Sequence, residues 1–194
     1  MIHNILLGKK VVLASASPRR KEIFDFIGVK TLIVPSNYIE TNFTVNPRKL
    51  VKEHALQKAL TVKKQMDSDC LIIGSDTIVV LNKVILGKPK CNEDVIKFLE
   101  LLSGETHSVY TGISIVYKNI ILQDFEKTRV TFKTLSRKEI DEYISTSEPF
   151  DKAGAYGIQG YGSQFIKKIN GCYFNVMGFP VNNFYNLLEK IEGK

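Results

Sequence analysis

Three segments of this chain gather residue types that handle anionic substrates. The first, Ala14-Ser15-Ala16-Ser17-Pro18-Arg19-Arg20-Lys21, runs from an apolar stretch through small residues into three consecutive cations. Ser17 as N-cap and Pro18 at the first helical position predict that a helix begins there. Cations in a first turn oppose the helix dipole, at about 0.3–1 kcal/mol each when exposed. An anion bound at that end reverses the sign, because backbone N–H groups, the dipole and the guanidinium forks then converge on it. A solvated basic turn is the plain alternative. Neither GxxxxGK[ST] nor GxGxxG is present there, so a phosphate site has to rest on the cations Arg19, Arg20 and Lys21 rather than on a glycine-rich cradle.

The second segment is Gly74-Ser75-Asp76-Thr77, followed by Gly87-Lys88-Pro89. An aspartate at the end of a buried apolar strand is costly unless it is hydrogen-bonded, paired or metal-bound. Lys88 can return beside Asp76; otherwise Asp76 caps a turn and Lys88 is a surface lysine. The third segment, Glu148 to Gly162, threads acids, Lys152, aromatics and Gln159 through glycines. The Gln159 carboxamide offers a donor and an acceptor together, which suits a base edge, whereas a merely flexible loop has no need of so many large residues.

The elements that must position these residues follow from the apolar pattern. Val11 to Ala14 reads as a strand, the helix after it carries Ile23, Phe24 and Ile27, and Gly28 can close it. Thr31 to Val34 is a second strand, and Asn46-Pro47 opens a helix to about Lys64, which places Lys58 on it. Cys70 to Gly74 reads as a buried strand ending at Ser75-Asp76, and Thr77–Leu81 with Val84–Leu86 as a hairpin around Asn82-Lys83. A helix from Asn92 to near Gly104 and a long antiparallel pair, His107–Tyr117 with Ile120–Phe132, come next. Ser136 and Glu139 form a capping box, with Leu135 and Ile140 as staple. Residues 148–180 hold six of the 13 glycines, too many for strand interiors, so a shaped loop is expected before a closing helix from Val181 to Glu189.

With 194 residues, 44% hydrophobic and 24% charged, and no linker, repeat or low-complexity tract, the chain reads as one α/β domain over 1–194. No apolar run approaches the roughly 18 to 20 residues of a spanning helix, and no basic region precedes the short apolar stretch near Met1, so a soluble, unexported protein without membrane contact is expected. Three cysteines without CxxC spacing and three histidines form no zinc pattern and suit a reducing cytoplasm. The net charge of +7 falls entirely in residues 1–97, with 16 Lys/Arg against 9 Asp/Glu. An anionic partner suits that half, although charge alone is equally consistent with solubility.

Taken in order, Leu13 to Arg20, Lys58-Ala59, Asp76-Thr77, Lys88-Pro89, Asp151 to Gly160, Lys168-Ile169-Asn170-Gly171 and Asn175 to Pro180 resemble the Maf family of nucleoside triphosphate pyrophosphatases along nearly the whole chain. The resemblance implies hydrolysis between the α and β phosphates, with Mg²⁺ or another divalent ion such as Mn²⁺. It implies a mixed twisted sheet flanked by helices in two lobes with a cleft between them, and a homodimer. The family residues at Arg19, Thr77 and Gln159 go with the branch preferring dTTP and UTP. Where the family commonly has two adjacent acids, only Glu40 stands here, after Tyr38-Ile39.

A phosphoanhydride hydrolase must neutralise phosphate charge and place one water in line with the leaving group. Arg19, Arg20, Lys58 and Lys88 are the cations for this, Ser15, Thr77 and Gln159 further substrate contacts, and Asp76 and Glu40 the oxygen ligands that suit Mg²⁺. Asp76 is expected to orient or deprotonate the water, with Lys58 and Lys88 as its catalytic partners. A nucleic-acid binder is disfavoured, because the cations form a compact turn and tryptophan is absent. The remaining alternative is a catalytically idle nucleotide-binding regulatory protein, against which the retained Asp76, Lys58 and Lys88 speak.

Overall fold

A computed structural model of the chain describes residues 1–41 and 46–192. In chain order the elements are α1 (Ile2–Leu6), β1 (Lys10–Leu13), α2 (Pro18–Phe26), β2 (Leu32–Ile33), α3 (Pro47–Lys63), β3 (Cys70–Leu81), β4 (Val84–Leu86), α4 (Asn92–Leu102), β5 (Thr106–Tyr117), β6 (Ile120–Phe132), α5 (Arg137–Ile144), β7 (Ile166–Asn170), α6 (Tyr173–Met177) and α7 (Val181–Glu192). The strands form one mixed sheet in the order β2-β1-β3-β5-β6-β7, with β4 on β3. Strand β1 runs parallel to both β2 and β3, while β4 on β3 and β7 on β6 are antiparallel. The expected mixed α/β sheet with flanking helices is therefore the fold.

The chain divides into two compact units: the first comprises Met1–Asp76, Thr111–Glu126 and Gly178–Lys194, the second Thr77–Tyr110 and Lys127–Met177. In the first unit, Asn46 caps α3 by accepting from the Arg48 and Lys49 N–H groups, and Pro47 takes the first helical position. Leu50, Val51, Ala55, Ala59 and Val62 then repeat at three- and four-residue spacing and are fully buried. The helix lies against the sheet backbone to backbone. A Cβ built on Gly74 of β3 would meet the Ala55 carbonyl oxygen at 1.9 Å, and one on Gly112 of β5 would meet that of Val51 at 2.2 Å. These two glycines admit the helix to a distance that no other residue allows. Phe24 of α2 packs tilted against Phe179 and edge-on against Phe184, with ring centroids 4.7 and 5.6 Å apart, to complete this core.

The second unit is built on aromatic rings. Phe132, Tyr143, Tyr156 and Phe165 pack with Leu99 of α4 and Ile140 of α5. The capping box at Ser136 and Glu139 forms as the spacing predicts, and Leu135 and Ile140 are both buried. The hairpin turn at Asn82 and Lys83 places both residues at positive φ.

Two expectations change. β3 does not end at Ser75-Asp76 but runs on to Leu81, 12 residues in all, and Asp76 sits inside it, where the chain passes from the first unit to the second. Ser17 holds the N-cap position of α2 without a side-chain cap; its own N–H instead donates to Ser15 Oγ at 3.2 Å. Residues 148–165 are a chain of 3-10 turns, Glu148–Asp151, Ala153–Ala155 and Gly160–Phe165, leading into β7.

Candidate active site

In the first unit, α3 and β3 bring together an acid and the cations that hold it. His54 and Lys58, one helical turn apart on α3, both face Asp76 of β3. Lys58 Nζ donates to Asp76 Oδ1 at 2.7 Å, and His54 Nδ1 lies 3.1 Å from Asp76 Oδ2. Lys58 Nζ also reaches Glu40 Oε1 at 2.5 Å. The Asp76 side chain is only 6% exposed and that of Lys58 13%, whereas Glu40 is half exposed at 51%. The cation thus bridges a buried and an open carboxylate.

The hydrogen bonds decide the charge of His54. Its Nε2 lies 3.0 Å from the Thr41 carbonyl oxygen, which can only accept, and its Nδ1 faces a carboxylate, which also accepts. Both ring nitrogens must carry protons, so His54 is an imidazolium. Burial opposes that charge, but the bonds to Asp76 and Thr41 and the charges of Asp76 and Glu40 outweigh it and raise the His54 pKa. Burial likewise pushes Asp76 up, yet the His54 hydrogen bond, the charge and bond of Lys58 and the charge of Arg20 hold it well below the usual carboxylate range. Asp76 is a permanent anion.

Glu40, His54 and Asp76 place potential metal-ligand atoms within 4.8 Å of one another. An imidazolium has no lone pair to give, so the donors left are carboxylate oxygens, which suit a hard divalent ion. The Lys58 ammonium already marks a cation position between them.

The basic turn is held by Arg20. This residue is buried; its Nε donates to the Gly178 carbonyl at 2.9 Å and its Nη1 to Ser15 Oγ at 2.8 Å. Ser75 Oγ donates to the same Gly178 carbonyl at 3.1 Å. Burial lowers the Arg20 pKa to about 10, against the attraction of Asp76, so the guanidinium stays charged at neutral pH. Ser15 Oγ accepts from both Ser17 N–H and Arg20, so its own O–H is a further donor at this turn. Arg19 is half-buried at the start of α2.

Thr77, Lys88 and Gln159 belong to the second unit. Thr77 is half-buried in β3 directly after Asp76, while Lys88 and Gln159 are exposed. Asp76 takes its two cation partners from α3, and Lys88 makes no ion pair among the described residues. Of the residues expected from the sequence, the structure gathers Glu40, Lys58 and Asp76 in one cluster and Ser15 with Arg20 in another.

His54 was not among the expected site residues. Its signal is its spacing: four residues before Lys58, it shares that lysine's face of the helix. A lone histidine between Glu53 and Ala55 does not reveal which strand it will face.

The family model described as Maf-like protein matches residues 10–191. The chain is 44% identical over 188 residues to a dTTP/UTP pyrophosphatase of Clostridium beijerinckii, spanning 94% of this chain and 100% of that one. It is 45% identical over 185 residues to a dTTP/UTP pyrophosphatase of Bacillus cereus, spanning 95% and 91%. Among solved structures, the Staphylococcus aureus Ham1 protein aligns with a TM-score of 0.49 at 17% identity, over 81% of this chain and 80% of that one.

Proposed function

The chain belongs to the Maf family, and from that premise we propose that it hydrolyses nucleoside triphosphates, dTTP and UTP foremost, between the α and β phosphates to a monophosphate and pyrophosphate. The observation that carries this reading is the buried Asp76 carboxylate, kept ionised by His54 and Lys58. Each oxygen of Asp76 has one further lone pair to offer a water. With so low a proton affinity Asp76 is a poor base, so it orients the attacking water by accepting its hydrogen bond and does not store its proton. Lys58 shares the carboxylate and lies beside the incoming phosphate charge. Arg19 and the Ser15 hydroxyl receive phosphate oxygens at the start of α2, while Arg20 pins the turn and adds its charge from behind.

Asp76 and Glu40 are the residues to hold Mg²⁺ or Mn²⁺, which when bound supplies positive charge to the triphosphate and to the reacting water. Lys88 supplies a further phosphate contact, and Thr77 and Gln159 meet the sugar and base. The substrate is the free nucleotide rather than a nucleic-acid polymer. Three free cysteines support a reducing cytoplasmic setting, and no described helix is long and apolar enough to cross a membrane. The family resemblance supports a homodimer.

Incubating the purified protein with Mg²⁺ and a panel of nucleoside triphosphates, with separate assays for pyrophosphate and orthophosphate, tests the reading. Monophosphate and pyrophosphate in equal amounts, fastest from dTTP and UTP, are expected. Binding without turnover would make the protein an idle nucleotide sensor, and orthophosphate as the first product would make it a different hydrolase.

A further inference from the structure

Gln159 occupies the N-cap position of the 3-10 turn Gly160–Phe165, yet its side chain makes no capping bond. The orphan N–H groups of that turn are met from elsewhere. Glu148, at the start of the first 3-10 turn, accepts from Tyr161 N–H through Oε2 at 2.8 Å and from Gly162 N–H through Oε1 at 3.1 Å. The Tyr143 hydroxyl on α5 donates to the same Oε1 at 2.9 Å. One carboxylate therefore takes three donors and ties the turn after Gln159 to α5.

The local backbone is shaped around that carboxylate. Gly160 has φ +73°, and a Cβ there would lie 2.5 Å from Glu148 Oε2; a Cβ on Gly162 would lie 2.9 Å from the Tyr143 hydroxyl. Lys152 Nζ donates to the Glu148 carbonyl at 2.7 Å and to Asp151 Oδ1 at 2.6 Å, so the residue bearing the carboxylate is itself fixed. The acid that caps this turn sits eleven residues before Gln159 in the chain, and the Gln159 carboxamide, exposed and without a partner among the described residues, is released from the task its position would assign it.

We propose that Glu148 is a positioning residue for base selection: by capping the Gly160–Phe165 turn in place of Gln159, it fixes the backbone that carries Gln159 and leaves the carboxamide for the base. This rests on the reading that Gln159 meets the base of the nucleotide. An isosteric Glu148→Gln change puts an amide nitrogen against a loop of N–H donors and breaks the clasp, while Tyr143→Phe removes one donor and keeps both backbone bonds.

The test measures kcat and KM for the full-length wild type, Glu148→Gln, Tyr143→Phe and Gln159→Ala with Mg²⁺. Each is assayed on dTTP and on deoxyribose 5′-triphosphate, which lacks a base, with folding followed by circular dichroism. For a charge-assisted capping bond, Glu148→Gln should raise KM for dTTP by about tenfold or more, leave kcat within about threefold and leave the base-less substrate unchanged. Tyr143→Phe should move KM for dTTP in the same direction by about threefold. Equal losses on both substrates, which a merely structural role would produce, would overturn the proposal. If Glu148→Gln does not fold, Tyr143→Phe decides, and an unchanged KM there would overturn it. If Gln159→Ala abolishes the preference for dTTP while both clasp variants retain it, the clasp alone fails. If Gln159→Ala leaves that preference intact, the base-reading role fails and the clasp falls with it.

Discussion

Asp76 holds a full negative charge in a site that is almost closed to water, and it does so because His54, Lys58 and Arg20 pay back the desolvation. Removing the charge while keeping the shape separates the catalytic from the electrostatic role. Asp76→Asn should lower kcat by about 100-fold or more, because the water loses the acceptor that orients it. It should also cost about 3 kcal/mol of stability, because three cations lose the buried carboxylate whose charge they share. Steady-state kinetics and urea unfolding on the same variant check both parts, and near-normal turnover would remove Asp76 from the chemistry. Asp76 was legible in the sequence, since an acid at the end of a buried strand needs a partner, but the lysine read beside it was Lys88, and Lys58, which in fact pairs with it, came only with the family resemblance. His54 was not, because its meaning comes from the Asp76 and Thr41 oxygens that the fold sets against its two nitrogens. Glu148 was equally hidden, because its partners are mainly backbone N–H groups, which leave no trace in side-chain identity.

At the level of elements, the site depends on how closely α3 lies against β3 and β5. Gly74→Ala forces a methyl group into the Ala55 carbonyl and must push the helix outward, taking His54 and Lys58 away from Asp76. Overpacking of this kind costs roughly 1–3 kcal/mol. We expect a lower Tm together with a fall in kcat, whereas Gly87→Ala, with open space around the added carbon, should leave Tm where it was. Equal Tm values for the two variants would show that the close approach does not matter. The same glycine explains why β3 reads as broken in the sequence. Gly74-Ser75-Asp76 has poor strand propensity, and the strand continues through it only because helix backbone fills the missing side chain and cations neutralise the acid.

The second unit carries its own pH dependence. His107 is buried against Phe132 and Tyr156; its Nε2 pairs with the Tyr156 hydroxyl at 2.7 Å, and its Nδ1 has no partner. Burial pushes its pKa down to about 4. Between the unfolded value near 6.5 and that value the unfolded chain binds a proton that the folded chain refuses, so stability is full above pH 6.5 and falls as pH drops, by up to roughly 3 kcal/mol at pH 4. Urea midpoints measured across this window should fall less steeply in His107→Phe than in wild type, and identical slopes would exclude His107 as the source.

For the whole molecule, the alternation of strands and helices was readable because apolar periodicity and the caps at Asn46 and Ser136 agree with the final elements. The family resemblance implies two lobes, but where the chain divides was not readable, because the boundary cuts through continuous strands and leaves no linker: the chain crosses it inside β3, between Asp76 and Thr77. In the proposed reaction the water oriented by Asp76 attacks the α phosphorus while the cations stabilise the charge building on pyrophosphate. Hydrolysis of dTTP in ¹⁸O-labelled water, with the products separated and weighed by mass spectrometry, reads out which phosphorus is attacked. The label should appear in the monophosphate and not in pyrophosphate; label in pyrophosphate would place the attack at the β phosphorus and rule out Asp76 as the residue that orients the water.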